Sequence, residues 1–200
     1  MADNPTIAVC VPTAGYPKPT AWSMATFQAH AIPGSAFYFL EGCLLPLMRD
    51  RLATQMLAAG HDYLLFIDDD TFVPPDAAAR LIALAKRENA GIACGVVPAL
   101  GHRDIVLNIS KDGEHFKPWP YGQFQVDRCG AACMLIRRAV LETLQSPWFV
   151  ADADMSEDYR FCDRAREAGF TIWCDAEIVC EHYKTIGLLR LCPPRTYKEI

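Results

Sequence analysis

Short apolar runs of strand length recur along the first half of the chain, and segments with a helical pattern separate them. The lengths and flanking residues of these runs are typical of buried strands rather than helices. The predicted strands cover residues 6–12, 35–41, 62–67 and 91–97. Strands that alternate with helices in this way favour a largely parallel, doubly wound sheet, whose ligands bind at the carboxyl ends of the strands.

Three helices are predicted between these strands. The first covers residues 20–30, after a loop that contains proline. The second covers residues 45–59, where apolar side chains recur at helical spacing: Leu45, Met48, Leu52 and Met56. The third begins around Pro75, because proline is tolerated in a first helical turn, and it runs to about residue 89.

The second half of the chain is less regular and predicts a smaller antiparallel element. The pair Asp112-Gly113 lies between two extended segments and predicts a hairpin turn. Residues 124–138 predict one apolar strand with small residues in its middle, followed by a short helix to about residue 145. Ser156 is the predicted N-cap of a further helix, and residues 170–183 are predicted to be extended. The predicted fold class is therefore α/β.

Length, composition and charge limit the possible number of domains, the cellular location and the binding partners. The chain has 200 residues, of which 52% are hydrophobic, and this predicts one domain around a single core. No apolar run approaches the roughly 20 residues of a membrane span, and the first residues lack the pattern of a signal peptide, so a cytoplasmic protein without stable membrane insertion is expected. A net charge of −5 with scattered basic residues argues against charge-driven binding to nucleic acid or anionic lipid.

Three consecutive aspartates, Asp68, Asp69 and Asp70, follow the predicted strand at 62–67. Adjacent carboxylates beside an apolar core repel one another and lose solvation, so a divalent cation between them is the expected compensation. Since side chains alternate on extended chain, Asp68 and Asp70 are expected to face one side and to suit Mg²⁺ or Mn²⁺. A solvated acidic turn before the next helix is the alternative.

Other phosphate-binding signatures are absent from the sequence. There is no G-x-x-x-x-G-K-[ST] motif and no G-x-G-x-x-G after the first strand, so neither a P-loop NTPase nor a dinucleotide oxidoreductase is supported. A structural zinc site is an alternative for Cys162, Cys174, Cys180 and His182. The spacing of these residues contains no C-x₂₋₄-C pair, which argues against it. Buried reduced thiols explain the cysteines of the chain, nine in all, more simply.

Five segments, in this order, resemble a GT-A glycosyltransferase of the family-2 type, in the compact form found in bacteriophages and bacteria. They are "VPT", "LLFIDDDTFVPPDAAARLI", "CGAACMLIRR", "SEDYRFCDRAREAGF" and "CEHYKTIG". The resemblance implies metal-dependent, inverting transfer of a sugar from a nucleotide diphosphate sugar, with UDP favoured, to a hydroxyl group. It also implies a nucleotide-sugar-binding half at about 1–97, an acceptor-binding and catalytic half at about 98–187, and a tail at 188–200.

The same resemblance implies roles for individual residues. Residues expected at the donor are Thr13, Arg49, Asp68, Asp69 and Asp70. Residues expected at the metal are Asp70, His182 and Asp68. The pair Glu157-Asp158 is expected to supply the catalytic base, with Asp158 favoured, although both carboxylates could instead stabilise the helix start by about 0.3–1 kcal/mol. Where related sequences carry Ala-Arg-Asn, this chain has Met48-Arg49-Asp50, so Asp50 departs from the pattern.

Aromatic side chains are the candidates for acceptor binding. Trp119, Tyr121 and Trp148 lie in predicted loops, where flat rings stack on sugars or bases, or else cover the core. The expected acceptors are a glycan, a small hydroxylated molecule, or a hydroxymethylated base in phage DNA inside a host cytoplasm. Basic residues that favour DNA are Lys111, Lys117, Arg128, Arg137 and Arg138. The alternatives are a non-catalytic sugar- or nucleotide-binding module and a nucleotidyltransferase of related fold.

Overall fold

The structure is a computed structural model that describes residues 5–15, 17–100, 105–117 and 119–184. Five helices occur in the described part: α1 Pro19–His30, α2 Leu45–Ala59, α3 Ala77–Arg87, α4 Arg138–Thr143 and α5 Glu157–Glu167. The first seven strands are β1 Ile7–Thr13, β2 Ala36–Glu41, β3 Tyr63–Ile67, β4 Thr71–Phe72, β5 Ile92–Val96, β6 Pro98–Leu100 and β7 Ile105–Leu107. The others are β8 Ile109–Lys111, β9 Glu114–His115, β10 Gln123–Val126, β11 Arg128–Cys129, β12 Cys133–Arg137, β13 Ile172–Val179 and β14 Glu181–His182.

A seven-stranded sheet in the order β10-β13-β5-β12-β3-β1-β2 forms the centre of the molecule. The pairs β1–β2, β1–β3 and β5–β13 are parallel, whereas β12 is antiparallel to both its neighbours and β10 is antiparallel to β13. Five strands therefore run in one direction and two in the other. The carboxyl ends of β1, β2 and β3 meet at one edge, and the chain enters β12 at that same edge.

The core consists of two apolar layers, one on each face of this sheet. Leu52 and Met56 of α2 and Phe161 of α5 pack on one face, together with α4. Ala25 of α1 and Leu81 of α3 pack on the other. Helices on both faces explain why the central strands are apolar along their whole length, because neither face meets water.

The predicted α/β fold class is confirmed: the structure has a mostly parallel sheet flanked by helices, with small antiparallel elements. The helix predicted at 45–59 has these bounds, and Gly60 ends it in a left-handed conformation. The hairpin turn at Asp112-Gly113 joins β8 and β9, with φ of 53° and 82° at the two residues, as a tight turn between antiparallel strands requires.

The single strand predicted at 124–138 is wrong, because the structure divides this segment into β10, β11 and β12. The small residues at 130–132 belong to no strand, and they connect β11 of a small three-stranded sheet to β12 in the middle of the main sheet. Among the described residues, no helix is long and apolar enough to cross a membrane. The predicted tail at 188–200 lies outside the described residues.

Candidate active site

A cleft of about 750 Å³ opens at the edge where β1, β2 and β3 end. Four parts of the chain line it: the end of β1, the segment that leads into α2, the three consecutive aspartates, and Lys184. Ligands of open α/β sheets bind outside the carboxyl ends of the strands, so the cleft has the expected position for a substrate site.

The three aspartates point toward three different partners. Strand β3 ends at Ile67, and the chain then turns, with the Thr71 N–H donating to the carbonyl oxygen of Asp68 at 3.0 Å. Because the chain is no longer extended here, the alternation that was expected to put Asp68 and Asp70 on one side does not apply. Each carboxylate instead has its own neighbour, on α2, on β1 and on β14.

Asp68 is paired with Arg49, the only arginine of the described residues that is almost completely buried, with 1% of its surface exposed. The guanidinium donates from Nη2 to Asp68 Oδ1 at 2.9 Å and from Nε to Glu157 Oε1 at 3.2 Å. Burial lowers the pKa of Arg49, but the charges of Asp68, Glu157 and Asp158 outweigh it and raise that pKa overall. Arg49 thus joins the end of β3 to the start of α5 and is charged.

Asp69 fixes the loop after β1. Thr13 donates its hydroxyl to Asp69 Oδ2 at 2.6 Å, and the Ala14 N–H donates to the same oxygen at 3.2 Å. The Thr13 hydroxyl in turn accepts from the Gly15 N–H at 3.0 Å. Thr13 and Asp69, both expected at the donor, line the cleft and hold the backbone of its β1 side.

Asp70 faces His182 and Lys184, which follow β13 at the end of the described chain. The antiparallel pairing of β4 and β14 brings His182 beside Thr71, and it places His182 Nε2 3.2 Å from Asp70 Oδ1. Lys184 Nζ lies 2.6 Å from Asp70 Oδ2. Burial raises the pKa of Asp70, but its contacts with His182 and Lys184 prevail and lower that pKa to about 2.

His182 and Asp70 are the two predicted metal ligands that the structure brings together. His182 Nδ1 donates to the Pro98 carbonyl oxygen at 2.7 Å, so Nε2 is the ring nitrogen that faces Asp70, and contact with this carboxylate raises the pKa of His182. Nε2 is buried and has no aligned hydrogen-bond partner in the described part of the chain. Neighbouring ligands of an octahedral ion at about 2.1 Å lie about 3 Å apart, close to the separation seen here.

The metal site would be incomplete on the protein side. Within residues 5–184 as described, no three His, Cys, Asp or Glu side chains come together around one point. Asp68 and Asp70, both expected at the metal, have separate partners, and only Asp70 faces His182. A hard cation such as Mg²⁺ commonly takes one or two protein ligands and completes its shell with water and substrate phosphates, so two protein ligands suit a metal whose other positions are filled by water or by a diphosphate.

Glu157 and Asp158 have different environments although they are neighbours at the start of α5. Glu157 is buried against Arg49. Asp158 is half-buried and accepts three hydrogen bonds, from the Ser156 hydroxyl and the Tyr159 N–H at Oδ1 and from the Ala131 N–H at Oδ2. A carboxylate has about four acceptor positions, so one position of Asp158 is left for a further donor.

The three aromatic candidates for acceptor binding are not equivalent. Tyr121 is 90% exposed and Trp119 is also exposed, both before β10. Trp148 is only 7% exposed, and its indole N–H donates to the carbonyl oxygens of Leu141 and Leu144 at 2.9 and 3.0 Å. The structure therefore places Trp148 in the core, where neither face of the ring is open to an acceptor.

Asp50, the departure from the family pattern, has a structural partner of its own. Its carboxylate accepts from the backbone N–H groups of Trp148 and Phe149 at 2.9 and 3.0 Å. Phe149 stacks on Phe161, with ring centroids 4.6 Å apart. Asp50 thus anchors the segment that covers one layer of the core.

Of the five basic residues that favoured DNA, the three arginines are not among the described residues that line the cleft. Arg128 is paired with Asp163, and Arg138 with Glu142. Arg137 lies at the far end of β12, opposite Tyr63 at the start of β3, whereas the aspartates follow the end of β3. These side chains are therefore engaged in local ion pairs or lie away from the cleft.

Lys184 is a cleft residue for which no role was expected, although it lies in the segment "CEHYKTIG". It comes two residues after His182, and residues two apart on extended chain share a side. The pairing of Glu157 with Arg49, which is 108 residues distant in the chain, had no sequence signal at all.

Comparison with known proteins shows which family and which folds this chain resembles. Residues 52–145 match the model of glycosyl transferase family 2. The fold is similar to A197 from STIV, with 17% identity, a TM-score of 0.71, and coverage of 90% of this chain and 86% of A197. No curated protein matches the sequence.

Two further structures are similar at lower identity. One is GalNAc-T7 with UDP, GalNAc and Mn²⁺, with 10% identity, a TM-score of 0.62, and coverage of 91% of this chain and 44% of that one. The other is S. aureus TarS 1-349 in complex with UDP-GlcNAc, with 11% identity, a TM-score of 0.60, and coverage of 92% and 59%. This chain thus spans less than two thirds of the length of both. At these identities the structures establish the GT-A fold, and the family match over residues 52–145 supports a glycosyltransferase.

Proposed function

We propose a donor, a metal and an acceptor for this chain, whose residues 52–145 match glycosyl transferase family 2 and whose fold is of the GT-A type. We infer that it transfers a sugar from a UDP-sugar to a hydroxyl group with inversion, with Mn²⁺ or Mg²⁺ at Asp70 and His182. The observation that carries the proposal is that Asp68, Asp69 and Asp70 line one cleft and that His182 lies 3.2 Å from Asp70.

The donor side of the cleft suits a nucleoside diphosphate. Asp68 lines the cleft and Arg49 holds its Oδ1, so its second oxygen would accept from ribose hydroxyls. A divalent cation between the diphosphate and the protein would neutralise the charge that develops on the leaving group. Solved GT-A structures with UDP and Mn²⁺, or with UDP-GlcNAc, support this choice of donor.

We assign the general base to Asp158 and a positioning role to Glu157. An acceptor hydroxyl would donate to the open position of Asp158, and its oxygen would attack the anomeric carbon as the bond to the diphosphate oxygen breaks. The proton passes to the Asp158 carboxylate, and the electron pair of the broken bond leaves on the nucleoside diphosphate. Glu157, buried against Arg49, would act through that arginine on Asp68.

For the acceptor we propose a glycan or small hydroxylated molecule ahead of a hydroxymethylated DNA base. Exposed Trp119 and Tyr121 offer flat rings on which a sugar can stack. Arg128, Arg137 and Arg138, which would have to contact DNA phosphates, are held by Asp163, Asn89 and Glu142. A DNA acceptor usually needs a continuous basic surface.

The test is a donor panel followed by one substitution. Thermal stabilisation and slow hydrolysis would be measured with UDP-, GDP- and dTDP-sugars, each with and without Mn²⁺. We expect a response to a UDP-sugar that requires the metal. Asp158→Asn should bind that donor as the natural chain does and turn over about 10²- to 10⁴-fold more slowly, because the proton acceptor is lost. The amide nitrogen also cannot accept from the Ala131 or Tyr159 N–H, so the melting temperature of the variant is measured as well.

Two outcomes would contradict the proposal at different points. No response to any of the three donors with metal present would end the assignment of a nucleotide-sugar transferase. Normal turnover by Asp158→Asn would leave the transferase in place and remove Asp158 as its base. Asp163→Asn, on the same helix but paired with Arg128, is the matched control and should keep its turnover.

A further inference from the structure

Lys184 is the one lysine or arginine among the described residues that line the aspartate cleft. Its ammonium lies 2.6 Å from Asp70 Oδ2, and 46% of its side chain is exposed. Arg49, the other nearby cation, is buried and shared between Asp68 and Glu157, so its charge is already balanced. A negatively charged substrate that enters the cleft therefore meets Lys184 as the accessible positive group.

The Asp70–Lys184 ion pair occupies the carboxylate that the proposed metal would need. Asp70 is the residue that faces His182, and Lys184 holds its second oxygen. A divalent cation at Asp70 would repel the ammonium, because two positive charges would then compete for one carboxylate. The flexible stem of a lysine lets its charge move by several ångströms without a change in the backbone.

We propose that Lys184 is a cation of the donor site: it pairs with Asp70 in the free enzyme and moves to the terminal phosphate of the nucleoside diphosphate when metal and donor bind. This role rests on the proposed function and adds to it a second positive group for the leaving diphosphate. No covalent step is involved, since the ammonium changes partners from a carboxylate to a phosphate oxygen.

The proposal predicts opposite effects of one substitution on two ligands. Lys184→Met removes a competitor for Asp70, so Mn²⁺ alone should bind as well as to the natural chain or more tightly. The same substitution removes a charged hydrogen bond to phosphate, so UDP in the presence of Mn²⁺ should bind about 10- to 100-fold more weakly. A lysine that merely tethered the chain to Asp70 would not separate the two ligands in this way.

The experiment is calorimetric titration of the full chain, with Mn²⁺ alone and with UDP at saturating Mn²⁺. Lys184→Arg keeps the positive charge and should recover most of the UDP affinity. Lys86→Met is the matched control, because Lys86 is exposed on α3 and lines a separate groove with Pro5 and Arg137. Its affinities for both ligands should equal those of the natural chain.

The outcomes distinguish this inference from the function on which it rests. Unchanged UDP affinity in Lys184→Met, with a natural chain that binds UDP, would overturn the role of Lys184 and leave the transferase standing. A parallel loss of Mn²⁺ and UDP binding with a lower melting temperature would also overturn it, in favour of a structural tether. A natural chain that binds no UDP with Mn²⁺ would overturn both, and that result would appear before any variant is compared.

Discussion

Arg49→Met removes the buried cation that joins the two halves of the site while it keeps a side chain of similar length. In the natural chain the guanidinium makes charge-assisted hydrogen bonds to Asp68 and to Glu157, at 2.9 and 3.2 Å. The variant leaves the Glu157 carboxylate buried without its partner and frees Asp68 from α2. We therefore expect a large loss of stability together with weaker donor binding.

The size of the loss follows from the two bonds. A hydrogen bond to a charged group contributes about 1.5–3 kcal/mol, so two contribute about 3–6 kcal/mol. Loss of one partner from a buried ion pair typically costs about 3–5 kcal/mol, which agrees with that sum. We expect a decrease of about 4 kcal/mol in the free energy of unfolding, a large share of the 5–15 kcal/mol of an ordinary domain.

Urea unfolding, followed by tryptophan fluorescence and by circular dichroism, measures this decrease. With a slope of about 2 kcal/mol per molar, the midpoint should fall by about 2 M.

Glu157→Gln is the substitute variant if Arg49→Met does not fold. It keeps an acceptor for Arg49 but removes the negative charge of Glu157, and it should cost about 1–3 kcal/mol. Arg87→Met removes an arginine that is 54% exposed and paired with Glu88, and should cost about 1 kcal/mol or less. A loss below about 1 kcal/mol for Arg49→Met would refute the reasoning, because the buried pair would then contribute no more than an exposed one.

Two further predictions test other parts of the site. Asp70→Asn and His182→Ala should each abolish measurable Mn²⁺ binding in calorimetry, since each removes one of the two protein ligands, and retained binding in both would place the metal elsewhere. Trp148→Phe should lower the free energy of unfolding by about 1–3 kcal/mol, because the carbonyls of Leu141 and Leu144 lose their donor, and should leave the KM for the acceptor unchanged. A raised acceptor KM with normal stability would instead return Trp148 to the acceptor site.

Local features of the fold were predictable because local sequence encodes them. The spacing of Leu52 and Met56 predicted the face of α2 that packs on the sheet, and the helix has the expected bounds, whereas Leu45 is exposed and lines the cleft. Asp112-Gly113 predicted a turn because a tight hairpin turn needs positive φ angles, which Asp and Gly adopt more readily than most other residues. The strand at 124–138 could not be divided correctly, because residues 130–132 leave the sheet for a reason that is tertiary: the Ala131 N–H donates to Asp158, and the Gly130 N–H donates to the carbonyl of Asn108.

The sequence by itself determined the chemistry of this protein, and the tertiary structure decided how that chemistry is arranged. Three aspartates after a buried strand indicated an acidic site at a sheet edge, because apolar runs, turns and charges are properties of neighbouring residues. The separate partners of Asp68 and Asp70, on α2 and on β14, depend on chain segments 19 and 112 or more positions away. Such pairings follow from sheet order and helix packing, which no local pattern specifies, and they alone brought Lys184 into the cleft and Trp148 into the core.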